Sequence, residues 1–271
     1  MDILHEKRRK LEIYLAGLQT AAVAFSSGVD STFLLKVAKE VLGDNVIAVT
    51  AVSSVIPQRE IEEAEKFCEE HNIKHLPISI DVLSMDAFKT NPPDRCYHCK
   101  KRIFTEIINA ASSMGIIDIL EGSNTDDDGD YRPGMKAIKE LNVKSPLKEA
   151  GLSKEDIRAL SEEMGLNTWN KPSFACLASR FVYGDPITEE KLLMTDKAEE
   201  LLLSLEFRQF RVRIHDNIAR IEILPEDFPR LMAEDIREKV YAELKNMGFD
   251  YVTMDLKGYR TGSMNETLRN R

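Results

Sequence analysis

The first stretch of this chain that could do chemistry lies at residues 26–31. An apolar run breaks there into Ser-Ser-Gly-Val-Asp-Ser, and a helical pattern follows. A small-residue loop at a helix start directs backbone N–H groups and the positive end of the helix dipole at one point, where a phosphate group fits. The alternative is an ordinary strand-to-helix turn capped by Asp30 or Ser31.

The four cysteines form a second candidate group. Cys68 lies on the apolar side of a predicted helix and is expected to be a small core residue. Cys96 and Cys99 form a Cys-x-x-Cys motif in a predicted loop that follows two prolines, and Cys176 stands alone. These residues could form a zinc site completed by His98, a redox pair, an iron–sulfur cluster with one open iron, a lone nucleophile beside an unrelated pair, or inert thiols.

Charged residues make two further groups. Residues 126–130 hold four carboxylates in five positions, which is usual for a solvated loop but also suits Mg²⁺ or substrate binding, because the loop follows a predicted strand. The pattern of residues 210–223 predicts a hairpin. In its first strand, Arg211 and Arg213 lie on one face, and Phe210 and Val212 lie on the other. That charged face could be solvent-exposed, or it could line a pocket for a phosphate or carboxylate.

Composition limits the possible classes of protein. The 271 residues, 43% of them hydrophobic, are enough for a substantial core. A net charge of −9 argues against a general DNA-binding protein or one that binds anionic membranes. No run approaches the roughly 18 apolar residues of a membrane span, and residues 1–8 lack the apolar core of a signal peptide. We therefore expect a cytoplasmic protein.

The elements that must position these groups alternate between strand and helix. We predict strands at 21–25, 46–52, 75–80 and 116–120, with helices at 3–18, 59–70, 101–114 and 154–164. This order predicts an α/β fold with a parallel sheet whose ligand site lies at the carboxyl ends of the strands.

A composition shift near residue 184 predicts a boundary between a domain at 1–184 and a smaller α+β domain at 185–271. In the second domain we predict helices at 188–205 and 226–247 and strands at 207–215, 218–224 and 251–256.

Ser-Ser-Gly-Val-Asp-Ser resembles the Ser-Gly-Gly-x-Asp-Ser signature of the PP-loop ATP pyrophosphatases, with Ser27 where that family usually has Gly. Four further segments resemble one branch of these enzymes, the LarE family of sulfur transferases. They are residues 95–100, 122–134, 171–180 with Ala-Cys-Leu-Ala-Ser-Arg, and 211–222 with Arg-Val-Arg. These segments keep the family's order along nearly the whole chain, so the resemblance implies a PP-loop (adenine nucleotide alpha hydrolase-like) domain.

The resemblance implies a reaction and roles for the residues. ATP, with Mg²⁺, would adenylate a carboxylate of pyridinium-3,5-biscarboxylic acid mononucleotide, pyrophosphate would leave, and a sulfur nucleophile would displace AMP to give a thiocarboxylate for the nickel-pincer cofactor. The implied ATP-binding residues are Ser26, Ser27, Gly28, Asp30 and Ser31. The implied substrate contacts are Asp128, Asp130, Ser179, Arg180, Arg211, Arg213 and Glu222, with Asp127 as a possible Mg²⁺ ligand.

Members of the LarE family use either a sacrificial cysteine or three cysteines that resemble iron–sulfur ligands. Cys96, Cys99 and Cys176 resemble the second form, which implies a 4Fe–4S cluster whose open iron carries a sulfide. Cys176 would then be both the catalytic cysteine and a cluster ligand. The implied partners are the small-molecule substrate, inorganic sulfide or a sulfur donor protein, and further copies of the chain in a homo-oligomer.

Two other functions remain open at this point. Some enzymes that thiolate tRNA combine a PP-loop with a Cys-x-x-Cys cluster, although the acidic charge disfavours tRNA binding. A regulatory protein that binds a nucleotide and zinc without turnover is the third hypothesis.

Overall fold

The structure is a computed structural model, and it describes residues 3–127, 133–172 and 174–265. The chain divides into two compact units. The first unit comprises Met1–Val82 and Asp94–Phe174, and the second comprises Leu83–Pro93 and Ala175–Arg271.

The boundary between the two compact units lies at residue 175, whereas the predicted domain boundary follows Gly184. The second unit also includes the short segment 83–93, because Asn91 is tied to residues that come much later in the chain. The Asn91 amide donates to the Val182 carbonyl at 2.6 Å, and the Asn91 carbonyl accepts from the Gly184 N–H at 2.9 Å. That these units are separate folding domains stays a prediction.

The helices of the described chain alternate with the strands as the predicted fold class requires. They are α1 (Ile3–Ala16), α2 (Val29–Leu42), α3 (Gln58–Glu70), α4 (Asp86–Lys89), α5 (Arg95–Ser112), α6 (Gly134–Glu140), α7 (Pro146–Glu149), α8 (Lys154–Glu163), α9 (Glu189–Ser204), α10 (Phe228–Leu231) and α11 (Glu234–Asn246). Short 3₁₀ turns occur at Gly43–Asn45, Thr125–Asp127, Leu177–Arg180, Pro225–Asp227 and Ser263–Asn265.

The first unit contains a parallel sheet of four strands: β1 (Ala21–Ala24), β2 (Val46–Val52), β3 (Lys74–Ser79) and β4 (Ile119–Leu120). The strand order is β3-β2-β1-β4. Both faces of the sheet are covered, since Val23 packs in one apolar cluster with Phe33 of α2, and Ala22 packs in another with Phe104 of α5. The predicted α/β fold with a parallel sheet is confirmed, and the sheet places the Ser-Ser-Gly-Val-Asp-Ser loop at the carboxyl end of β1.

The second unit contains a sheet of three strands: β5 (Phe210–His215), β6 (Ile218–Ile223) and β7 (Tyr251–Met254). β5 and β6 form the predicted antiparallel hairpin, and β7 runs parallel to β6. The pairing sets Arg211 opposite Glu222 and Arg213 opposite Arg220. The solvent-exposed interpretation does not hold for Arg211, Arg213 and Glu222, which are only 5%, 7% and 0% exposed. That this face lines a pocket for a phosphate or carboxylate stays a prediction.

Some predicted elements differ from the structure. The predicted strand at 116–120 is paired only over Ile119–Leu120, and the predicted helix at 226–247 is divided into a 3₁₀ turn, α10 and α11. Pro229 explains the first break, because it lacks the N–H that a helix begun at residue 226 would bond. The short helices α4, α6 and α7 had no clear sequence pattern. No helix within the described ranges is long and apolar enough to cross a membrane.

Candidate active site

The loop between β1 and α2 has the backbone form of an anion site. Ser27 adopts a positive φ of 50°, and Gly28, the N-cap of α2, has no side-chain capping bond. The first N–H groups of α2 therefore receive no capping bond from the residue 28 side chain, and they lie at the positive end of the helix dipole. The alternative interpretation, a turn capped by Asp30 or Ser31, does not apply, because the N-cap of α2 is Gly28 and both residues lie inside the helix.

The serine hydroxyls fix the shape of this loop. Ser31 Oγ donates to the Gly28 carbonyl at 3.2 Å and lies 3.2 Å from Ser26 Oγ. Ser27 Oγ donates to the Glu60 carbonyl in α3 at 3.0 Å. Ser27 and Ser31 are buried, whereas Ser26 is exposed, so Ser26 presents the loop's accessible hydroxyl.

Asp30 lies in the first turn of α2 and has two partners from distant parts of the chain. Lys154 Nζ donates to Asp30 Oδ2 at 2.5 Å, and Asn124 Nδ2 donates to Asp30 Oδ1 at 3.2 Å. Lys154 thereby places an ammonium group next to the loop, which has no lysine of its own. A cation in this position would offset the charge of Asp30 when an anion binds.

Lys171 brings a second ammonium group to the other end of the loop. Its Nζ donates to the Ser27 carbonyl at 3.1 Å and also pairs with the Glu63 carboxylate. The Lys171 side chain is only 16% exposed, so its charge is directed inward to the loop. Lys154, Lys171 and Asn124 were not among the residues predicted for this site.

Gly122, just beyond the carboxyl end of β4, packs closely against the start of α2. A Cβ placed on Gly122 would lie 3.1 Å from the Ser31 nitrogen and 3.2 Å from Asp30 Cβ, so only glycine fits without displacing α2. The carboxylate of Glu121, the residue before Gly122, is buried. It accepts hydrogen bonds from Ser123 Oγ at 2.8 Å and from Ser145 Oγ. Glu121 is a further residue that the sequence motifs did not indicate.

The acidic loop is only partly described. The Asp127 carboxylate accepts from the Asn124 backbone N–H at 3.0 Å, and the Asp126 carboxylate accepts from the Lys154 N–H at 2.9 Å. These bonds shape the turn that carries Asn124. The predicted role of Asp127 as a Mg²⁺ ligand stays a prediction, and Asp128 and Asp130 lie outside the described residues.

Cys96 and Cys99 lie in the first two turns of α5, which corrects the predicted loop. The helix starts shortly after the two prolines, because residues 94–112 include no proline and each has an N–H available for helix bonds. Residues three apart share one helix face, and both thiols are half-buried. Cys68 is buried as predicted, and burial raises the pKa of its thiol to about 12.

In the part of the chain that the structure describes, no group of three or more His, Cys, Asp or Glu side chains is arranged to hold a metal ion. Cys96 and Cys99 belong to the first unit and Cys176 to the second. The predicted 4Fe–4S cluster on these three cysteines is not confirmed.

The remaining predicted residues lie together in the second unit. Arg213 Nη1 donates to the Ser179 carbonyl at 2.6 Å, and Arg213 Nη2 donates to Glu222 Oε2 at 3.0 Å. Glu222 also accepts from Arg220 at 2.9 Å. Arg211 is buried among other cations, and burial together with the charge of Arg180 lowers its pKa to about 10.

The segment after β7 covers this charged face. The Tyr259 ring lies against the Arg211 guanidinium, 5.2 Å from its central carbon. Ser263 Oγ accepts from Arg213 Nη2 at 2.9 Å, and the Tyr259 N–H donates to the Ile223 carbonyl at 2.7 Å. We name residues 255–263 the covering segment. It had no sequence signal beyond the glycines at 258 and 262.

Comparison with known proteins adds to this geometry. A family model described as NAD synthase matches residues 6–110. Pyridinium-3,5-bisthiocarboxylic acid mononucleotide synthase of Lactiplantibacillus plantarum is 42% identical over 273 residues, covering 99% of this chain and 97% of that protein. The chain belongs to this synthase family, the LarE family.

Two other relatives are also similar to this chain. An uncharacterized protein of Synechocystis sp. is 39% identical and covers 98% of this chain and 99% of its own length. A glutamine-hydrolyzing GMP synthase chain of Thermoplasma acidophilum is 30% identical, with the match covering 67% of this chain and 63% of that one. The resemblance to the LarE family that the motifs indicated is confirmed.

Proposed function

We propose that this protein is an ATP-dependent sulfur transferase that converts a carboxylate of pyridinium-3,5-biscarboxylic acid mononucleotide to a thiocarboxylate. The full-length likeness to a LarE-family synthase supports the reaction class. The observation that carries the proposal is the loop at residues 26–31, with open helix N–H groups and ammonium groups from Lys154 and Lys171 beside it. ATP and Mg²⁺ are the expected cosubstrate and ion.

The first half-reaction converts a poor leaving group to a good one. A carboxylate oxygen attacks the α-phosphate of ATP, the bond between the α- and β-phosphates breaks, and pyrophosphate leaves. The N–H groups of α2 and the exposed Ser26 hydroxyl would hold the phosphates, while Lys154 and Lys171 would offset the charge that develops on pyrophosphate. Asp30 is bonded by Lys154 and Asn124, and its carboxylate would help to hold Mg²⁺ beside the phosphates.

The second half-reaction adds the sulfur. A sulfur nucleophile attacks the acyl carbon, AMP leaves, and the thiocarboxylate forms. For the substrate we propose contacts with Arg211, Arg213, Glu222 and Ser179. Arg213 is hydrogen-bonded to Ser179 and to Glu222, and Arg211 lies opposite Glu222 in the hairpin. The family resemblance also implies substrate contacts from Asp128 and Asp130, which lie outside the described residues.

The source of the sulfur is the finer part of the proposal. Cys96, Cys99 and Cys176 are not joined in disulfides, and they would be the ligands of a 4Fe–4S cluster. When bound, such a cluster would supply a sulfide on its open iron. Cysteines without disulfide bonds are in keeping with the cytoplasmic location that we propose. A homo-oligomer also stays part of the proposal.

The test is ATP–pyrophosphate exchange with the pyridinium biscarboxylate mononucleotide as substrate. We expect Lys154→Gln to lower kcat/KM for ATP by about tenfold or more, because Asp30 would then face the phosphates without a cation, and a charge-assisted bond contributes about 1.5–3 kcal/mol. Lys139→Gln, at an exposed position of α6, is the matched control and should leave exchange unchanged.

Two results would count against the proposal. Wild-type protein that releases no pyrophosphate with this substrate would contradict the reaction. Salt-sensitive tRNA binding accompanied by tRNA thiolation would favour the tRNA enzyme instead.

A further inference from the structure

The turn that carries Cys176 has little support of its own. It continues into a 3₁₀ helix at Leu177–Arg180, and its backbone bonds include one from the Ser179 N–H to the Cys176 carbonyl at 3.0 Å. Ala175 is exposed and Cys176 is half-buried, whereas Arg180 is completely buried. A short turn of this kind keeps one shape only when neighbouring groups hold it.

Arg180 supplies that support with one planar guanidinium group. Its Nη1 donates to the Ala175 carbonyl at 2.5 Å, to the Cys176 carbonyl at 3.1 Å and to Ser179 Oγ at 2.8 Å. Three oxygens on both sides of the Cys176 side chain are thus bound to the same nitrogen. Because the guanidinium is rigid, fixing its other edge fixes the turn.

Glu199 of α9 holds the other edge of the guanidinium. Arg180 Nε and Nη2 donate to the two Glu199 carboxylate oxygens at 2.8 Å and 2.6 Å, in the bidentate arrangement. Glu199 also accepts from the Val212 N–H of β5 at 3.0 Å. The turn is therefore tied through Arg180 to both a helix and the central hairpin of its unit.

The charge state of this pair follows from its surroundings. Burial alone would raise the pKa of Glu199, but the charge and hydrogen bonds of Arg180 outweigh it and hold that pKa below its usual range. Both side chains are 0% exposed. Desolvating two charges costs several kcal/mol per ion, so apolar residues would often give equal or greater stability here.

We propose that Arg180 and Glu199 are positioning residues whose task is to fix the turn of Cys176 for sulfur transfer, an inference that rests on the proposed function for the role of Cys176. This differs from the role predicted for Arg180, which was contact with the substrate. The guanidinium has no exposed surface, and its donors are directed at protein oxygens.

The test replaces the pair with apolar residues. In the double variant Arg180→Met with Glu199→Leu, the protein should stay folded, because no uncompensated buried charge remains. Hydrogen–deuterium exchange of the peptide at 174–181 should become at least tenfold faster, and kcat for thiocarboxylate formation should fall at least tenfold with KM for ATP unchanged.

A matched control is the exposed ion pair of α11, at Arg237 and Glu238. The double variant Arg237→Met with Glu238→Leu should change neither exchange at 174–181 nor kcat. A folded Arg180/Glu199 double variant with wild-type exchange and wild-type kcat would overturn the proposal.

Arg180→Lys is the second variant if the double variant does not fold. It keeps the charge beside Glu199, but a single ammonium cannot bond both the carboxylate and the three turn oxygens. Faster exchange restricted to 174–181 supports the proposal, and unchanged exchange contradicts it. Because exchange is measured without turnover, a changed turn in a protein that transfers no sulfur would reject the proposed function and leave the positioning role standing.

Discussion

Ser27 shows how one residue can depart from a family signature and keep the loop's shape. It occupies the left-handed region, where a Cβ costs about 1–2 kcal/mol, at the position where PP-loop enzymes usually have glycine. Its hydroxyl offsets part of this cost through the bond to the Glu60 carbonyl, since such bonds contribute about 0.5–1.5 kcal/mol. Serine is thus tolerated at position 27 because its hydroxyl makes a hydrogen bond that glycine cannot make.

We predict that Ser27→Gly leaves the free energy of unfolding within about 1 kcal/mol of wild type. Relief of the backbone strain is balanced by the lost hydrogen bond and by the greater freedom of glycine in the unfolded chain. Ser27→Ala keeps the strained Cβ and loses the bond, so it should be less stable than Ser27→Gly by about 1 kcal/mol. Urea unfolding of both variants measures this order, and an alanine variant at least as stable as the glycine variant would refute the strain account.

Residues of the phosphate loop could be found from the sequence because they are adjacent in the chain. The lysines could not, since Lys154 contacts Asp30 across 124 positions and Lys171 contacts Ser27 across 144. Local patterns carry no information about such pairs. For the same reason the sequence placed Arg180 near the substrate, while its pairing with Glu199 became visible only in the fold.

At the level of elements, the strands were predictable where both faces are buried or where polar and apolar residues alternate. β2 and the β5–β6 hairpin follow these patterns closely. β4 is short because its pairing is limited to two residues of β1, and beyond them the chain turns to Glu121 and Gly122. The covering segment has no regular hydrogen bonding, so no periodicity could have revealed it.

The covering segment depends on a close approach at Gly258. A Cβ there would lie 2.4 Å from the Ile223 carbonyl oxygen and 3.2 Å from the Phe228 ring, and φ is 67°. We predict that Gly258→Ala lowers the free energy of unfolding of the second unit by about 2 kcal/mol or more. Hydrogen–deuterium exchange of residues 255–263 should also become faster, because Tyr259 and Ser263 would lose their contacts with Arg211 and Arg213.

Gly262→Ala is the control for this prediction. Gly262 also has a positive φ, 76°, but nothing lies within 4 Å of a Cβ at that position. Gly262→Ala should therefore lower the free energy of unfolding only by the backbone strain, about 1 kcal/mol. Equal thermal stability of the two alanine variants would show that the close approach at Gly258 does not matter.

At the level of the whole molecule, the fold class and family were predictable because the motifs extend over most of the chain. The division into units was predictable only in part. The shift near residue 184 is a local change in composition, whereas segment 83–93 joins the second unit through contacts that the sequence does not indicate.

The cysteines also require a whole-molecule measurement, because they belong to both units. We predict about four irons per chain in protein purified without oxygen, with iron lost in Cys96→Ser and in Cys176→Ser. Cys68→Ser is the control and should keep its iron, since Cys68 is buried in the core of the first unit. Iron near zero, with Cys176 converted stepwise to dehydroalanine, would identify a sacrificial cysteine instead.

The passage of the chain through segment 83–93 has a consequence for synthesis in the cell. Asn91 is made 91 residues before Val182, its hydrogen-bond partner. At about 5–20 residues per second, the segment waits on the order of 5–20 seconds on the ribosome before that partner is added. Phe88 of the same segment is buried in the folded protein. We expect it to stay exposed during this interval, so that a newborn chain would present an apolar side chain to chaperones at a predictable stage of translation.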